Sequence, residues 1–87
     1  MAKTVMSRVE YDARMAASRI LFQNATSKYG VDPSPLNRAI MKQVVAEHDA
    51  YVDGVPKFDG AIVMVDLPER SSPLIEATEN FAQSLKP

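Results

Sequence analysis

The feature that most constrains this chain is the stretch Ser7 to Tyr29, SRVEYDARMAASRILFQNATSKY, closed by Gly30. It contains no proline and no internal glycine, and its apolar residues recur at helical spacing, which predicts a helix over 7–29. Ser7 with Glu10 three positions on is a capping box, in which side chain and backbone satisfy each other's free groups. Gly30 is placed to close the helix in a left-handed conformation. At 100° per residue, Val9, Ala13, Ala16, Ala17, Ile20 and Leu21 share one side. Tyr11, Met15, Phe22 and Tyr29 fall opposite, with Arg8, Asp12, Arg19 and Gln23 on one flank between them. A surface helix needs one apolar stripe; this helix has two. The Ala-rich side is expected to meet a second helix, because small residues permit close approach. The aromatic side is then left for a third helix or a second subunit.

The rest of the chain is arranged around that helix. Pro33 biases Asp32 away from helical geometry, so 30–34 reads as a turn. Ser34-Pro35 restarts a helix with an N-cap and a proline at the first helical position. The periodicity of Leu36, Ile40, Val44 and Tyr51 carries it over 35–52, to Gly54. So short a turn implies an antiparallel hairpin. Two glycines and a proline make 54–60 a loop. The run AIVMVDL predicts a strand over 61–67, apolar on both faces and therefore expected to be covered on both sides. Ala2 to Met6 is its one candidate pairing segment. Ser72-Pro73 opens a helix over 73–85, with Leu74, Thr78, Phe81 and Leu85 on one stripe. The expected architecture is α+β and mostly helical, (β)ααβα: a long helical hairpin, a short strand pair and a C-terminal helix. Eighty-seven residues of ordinary globular composition fit a single compact domain over 1–87.

Composition excludes several functions. No apolar run approaches the length of a membrane span, and MAKTVMSRVE lacks the apolar core of a signal peptide. With no cysteine there is no disulfide framework, thiolate zinc site or cysteine nucleophile. A cytoplasmic location is expected. Net charge is −1, unevenly spread. Met1 to Val45 holds seven Lys/Arg against three acids, a net +4; Ala46 to Pro87 holds three against eight, a net −5.

Candidate chemistry is sparse. Glu47, His48 and Asp49 are consecutive on a helix and point about 100° apart, so they do not converge on one ion or proton. Asp59, Asp66 and Glu69 lack the spacing of an oxygen-ligand loop. No phosphate-binding glycine motif and no nucleophile elbow is present. The expectation is a non-enzymatic protein with no catalytic residue, metal or cofactor. The order helix, Ser-Pro turn, helix ending near a glycine is similar to small antitoxins that block AMP-transferring toxins. Their diagnostic Glu-Gly is replaced here by Leu21-Phe22, and no family is assigned.

The functional expectation is a small regulator or inhibitor that binds another protein through its helices and self-associates, most simply as a dimer. Tyr11, Met15, Phe22 and Tyr29 are the candidate contacts on the first helix, and Val63 and Val65 those on the strand. The rival reading is a DNA- or RNA-binding regulator in which Arg8, Arg19, Arg38 and Lys42 meet phosphates beside stacking aromatics.

Overall fold

A computed structural model describes residues 2–69 and 72–85. The elements are β1 (Ala2–Ser7), α1 (Arg8–Val31), α2 (Pro35–Val52), β2 (Val55–Lys57), β3 (Ile62–Leu67) and α3 (Ser72–Ser84). The strands form an antiparallel sheet in the order β1-β3-β2. The fold is α+β and mostly helical.

Local chemistry sets most of these boundaries. Ser7 Oγ accepts the Glu10 N–H at 3.1 Å, while the Glu10 carboxylate reaches forward to Arg14 at 2.7 Å. Only that half of the capping box forms. Gly30 does not end α1. The helix runs one residue further to Val31 and stops at Asp32, held at φ −132° by the proline that follows. The stop signal is therefore Pro33 and not the glycine. Ser34 Oγ caps α2 through the Asn37 N–H at 3.1 Å, and the Asn37 side chain donates to the Asp32 carbonyl at 2.9 Å. The side chains of Ser72 and Pro73, expected to start α3, lie outside the described residues.

The segment expected as a loop over 54–60 contains β2. Val55, Pro56 and Lys57 stand opposite Met64, Val63 and Ile62. The Arg8 N–H to Ala61 C=O bond, 3.0 Å, sets the alternation so that Ile62 and Met64 bond toward β2. Pro56 then aims its donorless nitrogen at the open edge, where a proline is tolerated. Phe58 and Asp59 at the tip adopt positive φ, 51° and 57°, before Gly60 at 85°. Gly54, between α2 and β2, is required by close approach. A Cβ there would stand 2.9 Å from Val63 Cγ1, 3.0 Å from Tyr11 Cε1 and 3.1 Å from the Tyr51 carbonyl. Gly54→Ala is expected to cost about 1–3 kcal/mol through overpacking, read as a lowered thermal midpoint.

β3 is the central strand of the sheet. Thr4 and Met6 pair with Val65 and Val63 on the face toward the helices. Met6, Tyr51, Val63 and Val65 form one core cluster, with Tyr11, Met15, Ala50 and Leu67 packed against it. The opposite face carries the row Val5, Met64, Val55 and is covered by no described element. The expected cover is thus present on one face only, while a strand neighbour pairs each edge of β3. A second cluster, Ala25, Ile40, Val44 and Phe81, joins the three helices at the far end. In α3, Thr78 is fully buried, and its hydroxyl has no hydrogen-bond partner among the described residues. Thr78→Val keeps the shape and removes that desolvated hydroxyl. It is expected to stabilise the fold by about 1 kcal/mol in a denaturant titration.

Candidate interaction surface

The two stripes of α1 take opposite roles from those expected. Tyr11, Met15, Ser18, Phe22, Ala25 and Tyr29 repeat at spacings of four and three, and with Leu21 and Thr26 they are the buried or half-buried positions of the helix. They face α2, with Tyr11 and Met15 also against the sheet and Ala25 also against Phe81 of α3. The Tyr11 hydroxyl donates to the Tyr51 carbonyl, and the two rings lie 6.3 Å apart at 58°. The Phe22 ring lies 5.3 Å from that of His48. The reason is area: an aromatic side chain removes far more apolar surface from water than an alanine does. Tyr11, Met15, Phe22 and Tyr29 are thus spent largely on the intramolecular seam.

Val63 and Val65 are each 1% exposed. Expected as partner contacts, they are instead enclosed by the chain's own helices, and no partner reaches them in the folded protein. β3 finds both of its strand neighbours inside the chain, so it needs no second copy to pair its backbone.

The Ala-rich side of α1 faces outward. Val9 is 81% exposed and Ile20 54%, and Ala13, Ala16 and Ala17 between them are exposed as well. Only Leu21 of that group turns inward, against the second core cluster. Asp12 and Arg19 flank the stripe on one side, both exposed. Asp12 accepts from Arg8 at 3.1 Å within the helix. Sequence periodicity misses this surface because it locates two stripes without ranking them. The signal that ranks them is side-chain size.

The basic residues do not form one patch. Arg8 lies at the sheet end of α1, over the Tyr11 ring at 5.7 Å. Arg38 and Lys42 border a shallow depression with Tyr29 at the turn between the helices. At 1.5 Å per residue, Arg8 and Tyr29 are about 30 Å apart along α1, with the exposed Arg19 between them. A hydrogen bond to Tyr51 raises the Arg14 pKa, against partial burial and with help from Glu10, so this arginine stays charged. Arg14 also lines a depression with Glu47, which mixes the signs that the two halves of the sequence keep apart.

His48 is a packing residue. Ser18 Oγ donates to the Met15 carbonyl at 2.9 Å and lies 2.8 Å from His48 Nδ1. Which of Ser18 Oγ and His48 Nδ1 donates depends on the imidazole tautomer. Ser18 is also 6% exposed. Glu47 accepts from the Gln43 amide at 2.8 Å and Asp49 is exposed, so the three consecutive residues serve three directions. Asp66 shares a depression with Asp49 and Asp53 instead of with Asp59 and Glu69. Among the described residues no three His, Cys, Asp or Glu side chains converge closely enough to hold a metal ion. No helix among them is long and apolar enough to cross a membrane.

Comparison with known proteins finds no matching family model, no matching curated protein and no matching solved structure. The outward face of α1 is therefore read on its own chemistry.

Proposed function

We propose that this chain is a small non-enzymatic regulatory or inhibitory protein of the cytoplasm that binds protein surfaces through its helices, its own copies included. The observation that carries this reading is the outward stripe of α1, in which Val9 and Ile20 remain 81% and 54% exposed beside three exposed alanines. Scattered exposed apolar residues are ordinary, but a contiguous stripe along a well-formed helix matches the way amphipathic helices enter protein interfaces.

The test compares wild type with Ile20→Glu, a change at an exposed position. A protein partner, or a second copy, held by wild type in high salt and lost by the variant at unchanged thermal midpoint is the expected result. The rival use of Arg8, Arg19, Arg38 and Lys42 on nucleic acid gives the opposite pattern. Duplex or single-strand binding would then fall steeply with salt, because each neutralised phosphate releases counterions, and would be indifferent to Ile20. That outcome overturns the protein-binding reading.

A further inference from the structure

The outward stripe of α1 has a charge pattern that selects its occupant. Asp12, which also accepts from Arg8 of its own helix at 3.1 Å, and Arg19 lie on the same flank of the stripe, four residues before and three residues after Ala16. Opposite charges at nearly equal distances on either side of a central small residue are self-complementary under a two-fold axis through that residue. A foreign partner needs no such symmetry.

Resting on the protein-binding reading above, we propose that the occupant is a second copy of this chain, packed α1 against α1 in antiparallel orientation with the axis at Ala16. In this arrangement the same flank of each helix meets its counterpart. Asp12 of one protomer and Arg19 of its partner come to levels that differ by about one residue rise, 1.5 Å, and pair twice across the interface. Ile20 of one protomer falls over Ala13 of its partner, a large side chain on a small one, again twice. The two Ala16 residues meet at the axis, where the absence of bulk lets the helices approach. Val9 packs at each end on the stem of the partner's Gln23, which closes the apolar seam.

Other arrangements fit less well. A parallel pair brings opposite flanks together, so that Asp12 meets Ala17 and Arg19 meets Asn24, with no charge matched. Moving the axis to Arg19 sets that arginine against itself. The isologous antiparallel register is the one in which size and charge agree.

The absence of cysteine in the natural chain supplies the test. Under mild oxidation, Ala16→Cys is expected to form a covalent dimer readily, because cysteines at the axis come within disulfide reach. Gln83→Cys, also exposed but on α3, is expected to form no covalent dimer. Two charge reversals remove any ambiguity from folding. Asp12→Arg leaves only arginines at the two pairing positions and Arg19→Asp only aspartates. Each variant alone is expected to lose the dimer, and an equimolar mixture of the two to regain it as a heterodimer. Light scattering on wild type at micromolar concentration is expected to give twice the 9.6 kDa chain mass. A wild-type monomer throughout that range overturns the inference, and a foreign partner lost on Ile20→Glu would still uphold the binding reading. A dimer in which Ala16→Cys fails to cross-link and the charge reversals have no effect also overturns it. Self-association would then use another face, the open edge of β1 being the next surface to probe.

Discussion

Val65→Lys is expected to unfold the chain and not to separate two folded protomers. Val65 is 1% exposed and sits on the central strand, opposite Thr4 on β1, with its side chain in the cluster of Met6, Tyr51 and Val63. A lysine there must bury an ammonium with no acidic partner in that cluster, or pull the helices off the sheet to reach water. Either course costs several kcal/mol. A domain of this length has net stability of about 4–13 kcal/mol, so one such change consumes much or all of it. Val63→Lys carries the same expectation for the same reason. The measurement is far-UV circular dichroism during a thermal or urea titration. A variant that keeps the wild-type midpoint but changes its association state would place Val65 at an interface and contradict this packing.

Tyr51→Ala is expected to cost about 3–5 kcal/mol, the usual range for truncating a buried aromatic. Tyr51 is 8% exposed and does three things at the end of α2. Its ring fills the space between α1 and the sheet in contact with Tyr11. Its carbonyl accepts from the Tyr11 hydroxyl and from the Gly54 N–H. Its hydroxyl meets the Arg14 guanidinium. Truncation leaves the carbonyl in place and removes the rest, so the loss is a cavity plus one exposed polar contact. Tyr51→Phe separates the two contributions. It keeps the ring and is expected to cost no more than about 1 kcal/mol, because the lost hydrogen bond lies where water replaces it. Equal losses in the two variants, measured by urea titration, would show that the hydroxyl and not the ring holds this end of the molecule together.

Local physics is legible in the residues of this chain, and long-range physics less so. Ser34, Pro35 and the periodicity from Leu36 to Tyr51 announce α2, and α2 runs Pro35–Val52. The start of α1 at Ser7 is equally plain. Gly30 misleads because glycine permits a left-handed closing residue without requiring one, whereas Pro33 restricts its predecessor by direct steric clash. β2 is hidden because three residues with a central proline carry no period. Val55–Lys57 becomes a strand only because β3 offers it a hydrogen-bonding edge.

The order of residues along the chain settles the inventory: three helices, with the caps of α1 and α2, an apolar strand, and two stripes of similar length on opposite sides of α1. Those follow from steric limits on the backbone and from side-chain spacing, which act within a few residues. Which stripe lies inside is settled by packing in three dimensions. That choice depends on the facing surface of α2, where Tyr51, His48 and Val44 meet the large side chains of α1 and its neighbours. The aromatics go inward because they remove the most apolar area from water, and the alanines, Val9 and Ile20 are left on the surface. The face of α1 open to a partner is the remainder of that competition. Periodicity cannot reveal it, because the free energy that ranks the two stripes belongs to contacts between residues thirty to forty positions apart.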